Sequence, residues 1–418
     1  MGWLLAALLV LLLWLRQPIL VLLGSAALFV YSVWDGGNPQ YVIYDTWEAF
    51  NKEVLLAVPL FMFAGAIMSR GTIARRLIDL AVALTRPMPG GLAIATVLSA
   101  AGFAAISGSA TVTLLAVGAI MYQALLENGY SKSFAIGLIS ASGVLGIIIP
   151  PSIPLILYGV MTETSIADLF IAGLGPALVL VLILALYTLA LQGRRSGSSW
   201  DLAEIRAATR RGISAIPLPV VILGGIYAGL FTPTEAAAVS VVLAAFVELI
   251  VHRDMGLAEL KEVALETSRL MGSLFLVLAF AVSLNIFLTY EQVPQQALAA
   301  MEGMIDSQWQ FLVLGNLMLL LVGMVIDIGS AVLILGPMLE PMANRLGIDS
   351  VQLGIMMIVN LGIGYLTPPM GLNLIVAMGA FKEDFVTVTK AVLPFIGLML
   401  LGLAIIALVP SISLFLVG

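Results

Sequence analysis

The chain contains no cysteine and a single histidine in 418 residues, and only 10% of its residues are charged. Without cysteine there is no disulfide, no thiolate zinc site, no iron–sulfur cluster and no thiol nucleophile. The one histidine, His252, stands beside Arg253 and Asp254 and reads as an ordinary residue of a polar turn, so catalysis by a histidine-bound metal is not expected. Lys and Arg number 18 against 24 Asp and Glu, a net charge of −6, and no basic run interleaved with aromatics occurs. Nucleic acid is therefore excluded as a partner, because binding a phosphate backbone needs clustered cations. With no His, Cys or paired-carboxylate cluster in the sequence, the chain is not read as an enzyme.

What is abundant is apolar surface. Hydrophobic residues make up 61% of the chain and the mean hydropathy is +1.13, so an all-α polytopic membrane protein embedded in a lipid bilayer is expected. Met1 to Leu15 has no basic residue before it and is followed by Arg16, which suits an uncleaved anchor rather than a cleavable signal. Apolar runs cover 3–15, 19–33, 54–69, 92–126, 131–160, 166–191, 213–230, 236–251, 270–290, 311–342, 351–380 and 386–416. Residues 72–84 set Ile73, Leu77, Leu80 and Leu84 opposite Arg75 and Arg76, the pattern of a helix lying along the interface. A second short amphipathic stretch starts at Leu257, and the linker 192–212, with five arginines, divides the chain into halves. Glu235 in Thr232-Pro233-Thr234-Glu235 reads as a helix N-terminal cap.

Two apolar runs contain a stop signal. Gly146-Ile147-Ile148-Ile149-Pro150-Pro151-Ser152-Ile153-Pro154 and Gly364-Tyr365-Leu366-Thr367-Pro368-Pro369-Met370 each put a Pro-Pro pair inside a span, where proline removes a backbone donor and pushes its predecessor out of the helical region. In lipid such a break is tolerated only where it is buried in protein or lines a wet cavity. Sliding the chain by 218 residues superimposes Gly118 on Gly336, Gly129 on Gly347, Gly146 on Gly364 and Pro150-Pro151 on Pro368-Pro369. The same shift sets Ser142 on Asn360 and Ser109, at the interruption Ser107-Gly108-Ser109, on Asp327, at the interruption Asp327-Ile328-Gly329. If both interruptions are re-entrant hairpins, 16 of the 18 Lys and Arg fall on one side, with only Lys52 and Arg345 opposite. The excess marks the inside, both termini lie outside, and the two broken helices run in opposite directions as an inverted repeat. A hairpin and a pair of full crossings have the same parity, so charge does not separate them.

A broken helix offers carbonyl oxygens at one half-end, suited to a small hard cation, and amides at the other, suited to an anion. Ser107, Ser109 and Ser152 add oxygens at the first break, and Thr367, Asn360, Asn373 and Asp327 at the second. Ser109, Ser152, Asp327, Asn360 and Asn373 are the candidate substrate contacts. Each group has a plainer reading: Ser107-Gly108-Ser109 as a close helix contact, Asp327 as a hairpin cap, the two asparagines as interhelical hydrogen bonds.

Val58-Pro59-Leu60-Phe61-Met62-Phe63-Ala64-Gly65, Ile106-Ser107-Gly108-Ser109-Ala110-Thr111, Ile149 to Pro154, Phe231-Thr232-Pro233-Thr234-Glu235-Ala236-Ala237 and Asn360 to Pro369 together resemble the large membrane (M) subunit of tripartite ATP-independent periplasmic (TRAP) transporters. The resemblance covers almost the whole chain. It implies an elevator-type secondary transporter with two re-entrant hairpins and two broken helices, in a bacterial inner membrane. It further implies two or more coupling Na+ ions, a separate small membrane (Q) subunit, and a periplasmic substrate-binding (P) protein that delivers an organic acid such as sialic acid or a C4-dicarboxylate. By motif, one sodium site takes Ser107 with carbonyls near Gly146, Ile149 and Pro151; the other takes Gly323, Gly364, Thr367 and Met370. Relatives often carry serine where this chain has Ala104, which removes one oxygen from the first site. The implied division is 1–86 scaffold and interfacial arm, 87–165 first transport repeat, 166–269 central scaffold, 270–307 scaffold helix and outer loop, 308–385 second transport repeat, and 386–418 C-terminal helix. A stand-alone divalent-anion and sodium symporter of similar repeat architecture is the alternative.

Overall fold

The computed structural model describes residues 2–15, 17–33, 38–192, 201–213, 215–293, 296, 305 and 307–417. These form helices, with no strand among them. The helices before the first break are α1 (Gly2–Trp14), α2 (Ile19–Val33), α3 (Tyr41–Phe50), α4 (Ala57–Arg70), α5 (Ile73–Thr85), α6 (Gly91–Ser107), α7 (Ala110–Glu127) and α8 (Lys132–Gly143). Then come α9 (Ile153–Thr162), α10 (Ile166–Gln192), α11 (Leu202–Gly212), α12 (Pro217–Tyr227), α13 (Pro233–Phe246) and α14 (Leu257–Tyr290). The second half continues with α15 (Gln308–Gly323), α16 (Ile328–Arg345), α17 (Ser350–Gly364), α18 (Leu372–Phe381), α19 (Phe385–Leu408) and α20 (Ser411–Leu414). Among the described residues six helices are long and apolar enough to cross a membrane, and the chain is a multi-pass membrane protein.

The repeat reappears in the helices themselves. The bounds 110–127 of α7 and 328–345 of α16 differ by 218 at both ends, and α8 and α17 begin 218 apart. Their starts are set by matching caps: Ser109 accepts from Val112 N–H and Asp327 from Ser330 N–H, while Ser131 accepts from Phe134 N–H and Asp349 from Val351 N–H. Short polar side chains at these positions satisfy amides that the first turn leaves open. Gly129 and Gly347, at φ +76° and +79°, end the preceding helices in the left-handed region that favours glycine. Both Pro150-Pro151 and Pro368-Pro369 bonds are cis.

Packing then crosses between the repeats. Helix α7 lies on α18, beyond the second break, and α16 lies on α9, beyond the first. At equivalent points Gly118 faces the Phe381 ring and Gly336 the Tyr158 ring, with 3.1 Å and 3.4 Å left for a Cβ. Between helices in lipid, where water supplies no drive to associate, small residues that admit a ring this closely are what holds the pair. Around this centre α4 packs on α13, α14 on α2, α3 and α4, and α19 on α8.

Five sequence expectations change. Residues 257–290 form one helix rather than an amphipathic stretch and a separate span, because nothing between Leu257 and Leu270 interrupts the backbone hydrogen bonds. The linker carries α11, capped by Asp201, and the acidic loop carries α3. The last run is split at Pro410 into α19 and α20, since proline has no N–H for the ladder. Span 213–230 contributes only the eleven residues of α12. Glu235 does cap α13, in a reciprocal box with Thr232. Arg16, Arg194 and Arg195 lie outside the described residues.

Candidate functional site

The first break is built from the tip joining α6 to α7 and the unwound segment joining α8 to α9. Gly108, at φ +60°, lets the tip turn, and a Cβ there would lie 2.8 Å from the Pro151 carbonyl oxygen. Gly146 is pressed against the same tip, its missing Cβ 2.4 Å from both Ser109 O and Thr113 Oγ1. Ser107 Oγ shares a 2.7 Å hydrogen bond with Thr113 Oγ1 and lies 3.4 Å from Ser109 O. Hydroxyl oxygens of Ser107 and Thr113 and the carbonyl oxygen of Ser109 thus gather beside Gly146, with the Pro151 carbonyl against Gly108 at the same tip, a set of hard neutral oxygens that suits a small monovalent cation. Thr113 was not foreseen; its signal was its place one turn after the cap Ser109. Ile149 is buried here, and its N–H bonds to Leu145 O at 3.0 Å. Ser152 caps α9: its hydroxyl donates to Ile147 O at 2.5 Å and accepts from Leu155 N–H at 3.3 Å. That satisfied and fully buried group fixes the break.

At the second break Gly323 and Gly364 touch backbone to backbone, and a Cβ on Gly364 would sit 2.6 Å from the Gly323 carbonyl carbon. Thr367 Oγ1 donates to Ile363 O at 2.8 Å, and Gly371 N–H reaches across to Met324 O at 3.2 Å. Gly323, Asp327, Tyr365 and Met370 line a cavity of about 190 Å³. Asp327 accepts from Ser330 N–H and Oγ at 2.9 and 2.6 Å, and Tyr365 OH accepts from Ile328 N–H at 2.8 Å. Met370 is half exposed at its mouth.

The two asparagines separate. Asn360 faces α15, donating to Asn316 O and Oδ1 at 2.8 and 2.7 Å, so it ties hairpin to broken helix away from the cavity. Its Oδ1 and the hydroxyl of its repeat mate Ser142 are both buried with no hydrogen-bond partner among the described residues. Asn316 was not foreseen, although a lone amide in an apolar run, two turns before Gly323, marks it. Asn373 is fully buried, accepts from Thr111 Oγ1 at 3.3 Å, and its Nδ2 has no partner among the described residues. It joins the first hairpin to the second break.

His252 departs from its reading as a turn residue. Its side chain is 1% exposed and lies 3.4 Å from the fully buried Glu248, a carboxylate hidden in the run 236–251. Both sit in a π-helical turn, Val247–His252, which extends α13.

Two mutually repeated broken helices with oxygen-lined breaks, in an all-helical multi-pass chain, define a secondary transporter. Fold likeness agrees: the Alcanivorax borkumensis YdaH transporter superimposes with a TM-score of 0.66 at 14% identity, covering 88% of this chain and 87% of that one. The Neisseria gonorrhoeae MtrF efflux pump gives 0.58 at 13% identity, covering 88% and 83%. Residues 5–412 match the family model described as the tripartite ATP-independent periplasmic transporter, DctM component, and the chain belongs to that family of TRAP large permeases. The C4-dicarboxylate TRAP transporter large permease protein DctM of Pseudomonas aeruginosa is 41% identical over 394 residues, covering 94% of this chain and 92% of that protein. The ectoine large permease TeaC of Halomonas elongata is 34% identical, covering 97% and 96%. The isethionate permease DctMQ of Oleidesulfovibrio alaskensis is 36% identical, and this chain spans 96% of itself but 64% of that longer protein.

Proposed function

We propose that the chain takes up an organic acid across a bacterial inner membrane, driven by a sodium gradient, with both termini periplasmic. The observation that carries this is the paired breaks, where backbone carbonyls and the Ser107, Thr113 and Thr367 hydroxyls come together beside glycines at which an added Cβ would clash. One Na+ binds among Ser107, Ser109, Thr113 and the Gly146 to Pro151 segment, Ile149 included. Another binds at Gly323, Gly364, Thr367 and Met370. Ala104 supplies no side-chain oxygen to the first site, and the Thr113 hydroxyl stands in its place.

The organic acid occupies the cavity lined by Asp327, Tyr365 and Met370, and Asn373, fully buried next to the lining residue Leu372, holds the second break to the first hairpin through Thr111. Ser109 and Ser152 hold the first break in shape rather than touch the substrate, and Asn360 does the same for the second. Residues 87–165 and 308–385 move together as an elevator against the scaffold of 1–86, 166–307 and 386–418. A small membrane (Q) subunit anchors that scaffold and a periplasmic binding (P) protein delivers the acid. Relatives named for a C4-dicarboxylate, isethionate and ectoine support a small charged solute as the cargo.

The test is uptake into proteoliposomes holding the chain with its Q partner, using labelled organic acids presented with and without the P protein. Uptake that needs both an inward sodium gradient and the P protein is expected. Equal uptake without the gradient overturns the sodium assignment, and uptake without P makes the chain a self-sufficient symporter.

A further inference from the structure

At the far end of α13 from the capping box, a second polar cluster lies outside both breaks. Glu248 is fully buried. Its Oε1 accepts from Ile73 N–H, the first amide of α5, at 2.9 Å. Its Oε2 is also buried and has no hydrogen-bond partner among the described residues. His252 Nδ1 faces that oxygen at 3.4 Å. One ligand atom each from Glu248, His252 and Asp254 lie within 4.8 Å of one another. Thr72 Oγ1 completes the group, donating to Asp254 Oδ2 at 2.8 Å and lying 3.2 Å from His252 Nδ1. The elbow from α4 to α5 is moulded on this carboxylate: a Cβ on Gly71 would fall 2.2 Å from the Glu248 carboxyl.

A buried carboxylate oxygen left without a donor is costly. An imidazolium sharing its proton with that oxygen would draw it to about 2.7–2.9 Å, and the 3.4 Å separation is too long for that. It equals instead the edge of a tetrahedron around an ion with bonds of about 2.0–2.2 Å to nitrogen and oxygen. We propose that Glu248 Oε2, His252 Nδ1 and an Asp254 oxygen bind a divalent transition-metal ion of the Zn2+ class, with the Thr72 hydroxyl or a water as fourth ligand. Two carboxylates and a neutral imidazole balance its charge, and the imidazole loses any Nδ1 proton on binding. Ile73 N–H holds the Glu248 carboxylate in aim, and Arg76, 3.5 Å from Asp254 Oδ2, steadies the other. The ion would staple the start of α5 to the end of α13. That ties the amphipathic arm, which leads into the first hairpin, to the scaffold.

The chain suits a direct test because His252 is its only histidine and it has no cysteine. The full-length protein, purified in detergent on a histidine-free tag, is dialysed against Zn2+ alone and against Co2+ alone. One Zn2+ per chain, visible tetrahedral Co2+ absorption and a rise in melting temperature with Zn2+ are expected. His252→Ala should abolish all three. Should that variant or Glu248→Gln fail to fold, Asp254→Asn, at a side chain 40% exposed, keeps the comparison, with Zn2+ affinity expected to fall roughly 10–100-fold. Wild-type protein that binds neither ion, or binding that survives intact in folded His252→Ala or Asp254→Asn, overturns the proposal and leaves Glu248 and His252 as a structural pair.

Discussion

The Thr367 hydroxyl, in the break just past α17, is directed back at Ile363 O in the helix's last turn, a bond that adds little to stability because that carbonyl already accepts from Leu366 N–H. Its oxygen lone pairs remain free for an ion. Thr367→Ala should therefore raise the sodium concentration for half-maximal uptake by about tenfold, roughly 1.4 kcal/mol, and leave the melting temperature nearly unchanged. Unaltered sodium dependence would remove Thr367 from the site. Gly146 gives the opposite pattern. A methyl there meets Ser109 O and Thr113 Oγ1 at 2.4 Å, whereas one on Gly102 meets nothing within 4 Å. Gly146→Ala should cost on the order of 1–3 kcal/mol of stability together with sodium-driven uptake, while Gly102→Ala should be silent in both assays. Equal behaviour of the two would show that the contact around Gly146 is not rigid.

At the level of elements, the sequence announced what local chemistry dictates. Pro-Pro pairs mark both breaks, and Thr232 with Glu235 marks the start of α13, because proline and capping side chains act on their own turn. Ser109 and Asp327 were legible as the repeat's matching interruptions, and the structure adds that both are caps. The exchange of α7 onto α18 and of α16 onto α9 was not legible. It depends on which glycine faces which ring across 263 residues for Gly118 and Phe381 and 178 for Tyr158 and Gly336, and no local pattern records that. Glu248 was missed for a related reason: one carboxylate in an apolar run looks like a loop residue until α5 packs over it. Caps also carry a pH signature. Asp384 starts α19, accepting from Thr387 Oγ1 and N–H. The Thr387 hydroxyl bond, followed by its backbone N–H, holds the Asp384 carboxyl below the ordinary aspartate range. A lowered folded-state value means that the cap's contribution is complete above the unfolded value, about 3.9, and is lost as pH falls through the lowered one. The gap in melting temperature between wild type and Asp384→Ala should stay constant from about pH 8 to 5 and close only below roughly pH 4. A gap that closes between pH 7 and 5 would rule out a carboxylate cap.

For the whole molecule, the elevator reading makes a mechanical claim. The transport repeats must slide past a scaffold that includes α14, so contacts between α14 and the hairpins must break in each cycle. One such contact is defined: a Cβ on Gly329, at the tip that starts α16, would lie 3.6 Å from Leu274 Cδ1 on α14. The chain has no cysteine of its own, so Gly329→Cys with Leu274→Cys introduces the only two thiols, to be joined by a short thiol-reactive linker that itself contains a reducible disulfide. A fixed scaffold with small local gates tolerates this link, because the packed interface need not move. An elevator does not, since one covalent bond holds the transport repeats at a single depth. Sodium-driven uptake should fall to background in the linker-treated double variant and return on reduction of the linker, with each treated single variant active throughout. Full cross-linking, verified by mass, with uptake undiminished would leave the paired breaks as the site of transport but would require them to open and close without the repeats travelling.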